Sequence, residues 1–199
     1  MLLIALTGGI GAGKSSAGSL LARLGAVHVS ADQLAREILE RGEVGFDEVV
    51  AHFGDQILTA GAIDRNKLAS LVFQDPKKRE ELEEITHPLI HARFNKLLRT
   101  LPEQSVVVYE IPLLAENIER VDAFDVVLTI ESTEEIRMER LQQRGYSREH
   151  AQMRMGAQVS DAQRREIAHQ VIENNGDKDA LLRALEHWWA TFVLPKLAN

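Results

Sequence analysis

Eight consecutive residues carry the strongest chemical signal in this chain: Gly8-Gly9-Ile10-Gly11-Ala12-Gly13-Lys14-Ser15. They match the spacing G-x-x-x-x-G-K-[ST]. Glycines at these positions let a backbone wrap with its amides turned inward, and a helix opening near Lys14 offers its positive end to the same point. Such a cradle suits a di- or triphosphate. Lys14 supplies a mobile charge for the β- and γ-phosphates, and the Ser15 hydroxyl supplies a ligand for Mg²⁺. The alternative is a glycine-rich turn that holds nothing. It fits the setting less well, because an apolar run precedes the motif and a helical pattern follows it.

A phosphate cradle does not name a reaction. No aspartate is followed by glycine three places on, and Asn66-Lys67-Leu68-Ala69 lacks the aspartate of a guanine-recognition motif, which argues against a guanine-nucleotide switch. A compact kinase fits the length. It needs an acid near the acceptor, an acceptor pocket and cations for the travelling phosphoryl group. Asp32 lies just past the second apolar run, where open parallel sheets bind ligands. It is placed to accept a hydroxyl proton or bind a Mg²⁺ water; Ser30 or Asp32 capping the next helix is the plainer alternative. Glu110 closes "SVVVY" and is a second candidate for a Mg²⁺ water, against a strand-end charge turned to solvent. Glu116 lies beyond it, across "IPLLAE".

Arg137, Arg140 and Arg144 share one helical face. They either pair with acids such as Glu134 and Glu135, or form a lid that presents planar guanidinium groups to phosphate. Gly145 would let such a lid bend. His87-Pro88 interrupts a long helical pattern, so a break or kink is expected there. His87 either faces the acceptor or satisfies a carbonyl at the kink. Trp188-Trp189 reads as helix packing.

These groups need a frame, and the apolar pattern supplies one. Continuous apolar runs at 2–6, 26–29, 105–109 and 123–130, with a shorter one in "HQVIENNG", predict five strands buried on both faces. Helical patterns separate them: 14–24 stopped by Gly25, one ending near Arg41, 44–53, 64–98, 134–144, 148–157, 161–168 and 177–194. The expectation is an α/β fold: a parallel five-stranded sheet with helices on both faces, in the three-layer P-loop arrangement. The interval between the second and third strands exceeds a usual crossover and reads as an inserted helical lobe at about 35–98. The nucleotide-binding core then comprises about 1–34, 99–132 and 168–199, with 133–167 left as the lid region of a single domain.

Composition sets outer bounds. The 199 residues suit one sizeable core. A formal net charge of -7 is a poor basis for nucleic-acid binding, so an anionic ligand must be met by a local cationic site. With no cysteine, disulfides and thiolate chemistry are excluded. The opening apolar run is too short for a membrane span or a signal sequence. The expectation is a cytoplasmic protein without membrane or nucleic-acid partners, monomeric or weakly self-associating.

Taken together, "LTGGIGAGKSS", "SADQLARE", "FGDQIL", "IDRNKLASLVFQDP", "HPLI", "IPLLAEN", the R-x-x-x-R of Arg140 and Arg144, and "VIENNG" resemble the dephospho-coenzyme A kinases over nearly the whole chain. The resemblance implies transfer of the γ-phosphoryl of ATP to the ribose 3′-hydroxyl of dephospho-coenzyme A, with Mg²⁺, as the final step of coenzyme A synthesis. It implies ATP contacts at Gly9, Gly11, Ala12, Gly13, Lys14, Ser15, Ser16 and Asn174. It makes Asp32 the favoured base, gives Arg140 and Arg144 the lid role, and places Arg65, His87 and Glu116 on the acceptor side. Asn175 falls in the same segment as Asn174. Three positions depart from the family pattern: Ser30 replaces the first aspartate of D-A-D, Ser16 replaces a threonine, and Gly145 replaces an aspartate after the lid arginine.

Overall fold

The first strand, β1 (Leu2–Thr7), is hydrogen-bonded on both sides, which explains why it carries no polar alternation. It runs parallel to β5 (Val106–Glu110) in the register Leu2↔Val106 to Leu6↔Glu110, and to β6 (Val126–Glu131) from Ile4↔Val126 to Thr7↔Thr129. Outside these lie β2 (Val27–Ser30) on β5 and β7 (Gln170–Glu173) on β6, giving the order β2-β5-β1-β6-β7, all parallel. The computed structural model describes residues 1–73, 75–116 and 118–197.

Period two splits each apolar strand between two cores. Leu2, Ile4, Leu6, Val106, Val108, Val126, Leu128 and Ile130 pack with Leu20 and Leu21 of α1 (Lys14–Arg23) and with Leu181, Leu185 and Trp188 of α9 (Lys178–Trp188). Ala5 and Val127 face the other way, onto Leu114, Ile111, Phe124 and Ile167. Fully burying one such leucine contributes about 1.5–3 kcal/mol, so these rows are a dominant favourable term. On this side of the chain α6 (Glu134–Gln143), α7 (Arg148–Gly156) and α8 (Asp161–Glu166) follow β6, capped by Thr133, Ser147 and Ser160.

The chain divides into two compact units, Met1–Ser30 with Pro102–Asn199, and Ala31–Leu101. The second is built from α2 (Ala31–Glu37), α3 (Val44–Phe53), a two-stranded hairpin of β3 (Leu58–Thr59) and β4 (Ala62–Ile63), α4 (Arg65–Phe73) and α5 (Pro76–Leu98). Val49, Phe53, Ile57 and Leu68 form its core.

Several local expectations are corrected. The second helix ends at Glu37, short of Arg41. Between the 44–53 and 64–98 patterns the chain forms a hairpin whose turn residues, Ala60 and Gly61, both have positive φ (52° and 75°), the twist that two-residue hairpins need. Pro88 does not break α5, which runs from Pro76 to Leu98 through it. Packing on α2, α3 and α4 outweighs the local penalty of the missing N–H. The terminal helix ends at Trp188 and passes through a π-helical turn, Trp189–Val193, into α10 (Leu194–Leu197). Both tryptophans are buried, as packing required.

Candidate active site

The carboxyl ends of the sheet strands close on Thr7, Ser30, Glu110, Glu131 and Glu173, so the polar groups gather at one edge, where parallel sheets bind ligands. The loop from Gly8 to Gly13 leaves that edge after the central strand. Gly8, Gly11 and Gly13 hold positive φ (145°, 82° and 105°), and Ala12 N–H donates to Gly9 O at 3.1 Å. Lys14 Nζ folds back over the loop and donates to Gly8 O at 2.7 Å and Gly9 O at 3.1 Å. α1 starts at Lys14 with no side-chain cap, so its first-turn amides keep their positive end for a ligand.

Behind Lys14, Ser15 Oγ donates to Glu110 Oε1 at 2.8 Å, and His28 Nε2 lies 3.1 Å from Glu110 Oε2. Burial pushes the Glu110 pKa up. The hydrogen bonds from His28 and Ser15 and the charges of His28 and Lys14 outweigh it, so the net shift is downward and the carboxyl is held ionised. A hydroxyl and an ionised carboxylate are hard oxygen donors, the set that Mg²⁺ takes alongside substrate phosphates. A cavity of about 320 Å³ beside α1 is lined by Ser15, Ser16, Ser19, Leu20, Arg23 and Lys178.

Arg140 is drawn onto the loop. It donates from Nη1 to Ser132 Oγ at 3.0 Å and Ala12 O at 3.3 Å, and from Nη2 to Asn174 O at 2.9 Å. Burial, then the like charge of Arg144, lowers its pKa. Asn174 is buried and donates from Nδ2 to Ala12 O at 2.7 Å. Asn175 Oδ1 accepts from Thr133 N at 2.9 Å. Arg144 is exposed at the end of α6. Glu116, also exposed, accepts from Val159 N at 3.3 Å. The other expected site residues belong to the second unit: Asp32 is exposed in the first turn of α2, Arg65 is exposed at the start of α4, and His87 is half-buried in α5.

Two functional candidates, Arg164 and His28, were not assigned from sequence, whereas Arg137 stood on the arginine face read there. Arg137 and Arg164 are both buried, and a Cβ built on Gly9 would meet Arg137 Nη1 and lie 3.0 Å from Arg164 Nη2. Two guanidinium groups therefore face the loop. Arg164 Nε pairs with buried Glu131 at 2.9 Å, and both arginines pair with Asp161, Arg137 at 3.3 Å. Nothing local to "DAQRRE" singles out Arg164. His28 did leave a signal: a polar ring inside the buried run "AVHV" needs a partner.

A five-stranded parallel sheet in this order, with the G-x-x-x-x-G-K-S loop between its central strand and α1, defines a P-loop kinase. A sequence model of the family described as CoaE, dephospho-CoA kinase, matches residues 2–179. The dephospho-CoA kinase of Thermobifida fusca is 41% identical over 191 residues, covering 94% of this chain and 95% of its own. A solved Thermus thermophilus structure superposes with a TM-score of 0.84 at 33% identity, covering 96% of this chain and 97% of that one. The dephospho-CoA kinase from Campylobacter jejuni gives 0.73 at 25% identity, covering 97% and 98%. The chain belongs to the dephospho-CoA kinase family. It is a kinase that phosphorylates dephospho-CoA with ATP, the final step of coenzyme A synthesis.

Proposed function

We propose that Asp32 is the general base that takes the proton of the ribose 3′-hydroxyl as that oxygen attacks the γ-phosphorus of ATP. The observation that carries this is the strand-end pairing: Ser30, the last residue of β2, stands opposite Glu110 in register, and Asp32 follows two residues later. Gly8 to Ser16 hold the polyphosphate through backbone amides, and Lys14 leaves its own loop carbonyls for the phosphates. Ser15, with Glu110 or Asp32 through water, would hold Mg²⁺. Bound there, the ion would neutralise phosphate charge. Arg140 and Arg144 act from the lid region, 133–167, and Asn174 sits on the adenine side. Arg65 and His87 of the helical lobe, 35–98, together with Glu116, contact the acceptor. Closure of the lid excludes water and limits hydrolysis.

The enzyme is proposed to work in the cytoplasm, as a monomer or weak oligomer, without nucleic acid. Among the described residues no helix is long and apolar enough to cross a membrane. The test is ADP release from ATP with and without dephospho-CoA, for the wild type and Asp32→Asn. A general base contributes about 10²–10⁴-fold, so kcat should fall by that much while ATP affinity holds. Near-normal turnover in Asp32→Asn removes Asp32 from the base role.

A further inference from the structure

The geometry points to His28 as a positioning residue of the phosphate site: it locks the Glu110 carboxylate onto Ser15, and Gly18 is the clearance that admits it. Both carboxylate oxygens are used, Oε1 by the Ser15 hydroxyl at 2.8 Å and Oε2 by His28 Nε2 at 3.1 Å. The side chains are largely withdrawn from water, 7% exposed for Glu110 and 19% for His28. An ionised carboxylate only accepts, so Nε2 carries the proton in this contact. With its two oxygens held from opposite sides, Glu110 has one orientation. Without the imidazole, Oε2 would lose its partner and the carboxylate could turn away from Ser15.

Gly18 supplies independent support. It lies inside α1, where glycine is among the poorest helix formers. A Cβ there would come within 3.0 Å of three ring atoms of His28: Nε2, Cε1 and Cδ2. The ring stands directly against the phosphate-loop helix at Gly18, and an imidazole held to Glu110 yields less readily than a lysine tip. Outer partners of this type orient the groups that hold a metal, and their loss typically costs 10–100-fold in metal affinity.

This inference rests on the kinase reading above. The test compares ADP binding with and without Mg²⁺ by titration calorimetry, where no turnover occurs, in the wild type, His28→Phe, His28→Gln and Gly18→Ala. The gain in ADP affinity on adding Mg²⁺ should shrink by about tenfold in His28→Phe, with metal-free ADP affinity unchanged within about twofold. His28→Gln, which restores a donor near Nε2, should recover most of the gain, and Gly18→Ala should move the same way as His28→Phe. An unchanged Mg²⁺ gain in folded His28→Phe overturns the proposal. So does an equal loss of metal-free and metal-bound affinity, the mark of a merely structural role. Should the variants fail to fold, the ring nitrogen resonances of His28 in the wild type decide: they should shift when Mg²⁺ joins bound ADP, and no shift overturns the proposal. Wild type that releases no ADP with dephospho-CoA defeats the kinase reading instead. Active wild type with variants that keep the full Mg²⁺ gain defeats only the role of His28.

Discussion

Adding one methyl group at Gly8 or at Gly9 should damage the protein in two different ways. At Gly8 the backbone has φ 145°, and an added Cβ would overlap the Ile130 carbonyl oxygen, with Ile130 C at 3.1 Å and N at 3.3 Å. Those atoms belong to β6, which is paired to β1 and cannot retreat without opening the sheet. The conformational penalty is about 1–3 kcal/mol. The forced overlap adds about 1–3 kcal/mol more. Gly8→Ala should therefore lose about 4 kcal/mol, which in a chain of this length lowers Tm by about 8–16 °C. At Gly9 the Cβ meets side-chain ends, Arg137 Nη1 and Arg164 Nη2. A guanidinium can shift where a strand carbonyl cannot, so Gly9→Ala should cost about 1 kcal/mol. Its phosphate loop would nevertheless be misaligned with both arginines, and phosphoryl transfer should fall by about 10²-fold. Thermal unfolding by circular dichroism without nucleotide, paired with ADP release, separates the two. Equal destabilisation of both variants, or a fully active Gly9→Ala, refutes the assignment of rigid and yielding neighbours.

Lys14→Ala should retain the fold and lose at least about 10²-fold in phosphoryl transfer, since Lys14 is the loop's own mobile cation; an active variant sinks its role, and ADP release reads it. Glu110 has a lowered folded pKa, so the stability it contributes is fully present above the ordinary glutamate value, about 4.3, and is lost as pH falls through the lower folded value. Urea unfolding from pH 6 downward should show a steeper acid loss in the wild type than in Glu110→Gln; parallel curves count against the link. Arg164→Met leaves Glu131, 1% exposed, without its cation. Loss of one partner of a buried pair costs about 3–5 kcal/mol, and the double variant with Glu131→Leu should regain much of it in denaturant unfolding.

What the sequence made legible divides along a physical line. The phosphate loop and the start of α1 could be read to the residue and β1 to within one residue, because glycine spacing and an unbroken apolar run are local signals with local causes. Pro88 departs from its local signal because that preference is outweighed by packing: a proline sits in mid-helix. The site shows the same division in its charges. Arg137, Arg140 and Arg144 stand out together by helical spacing, yet of the three only Arg137 is set against Gly9; its companion there is Arg164 from another helix, and their partners Glu131 and Asp161 come from separate elements. Spacing along one helix says which charges share a face; it does not say which are withdrawn from water. A chain of net charge -7 gives no hint of two buried cations on its phosphate loop, because each is balanced by an acid placed there by the fold. The exception is His28. Its polar ring in an otherwise apolar strand already demanded a buried partner, so in a strand of this kind the misplaced residue is itself the signal.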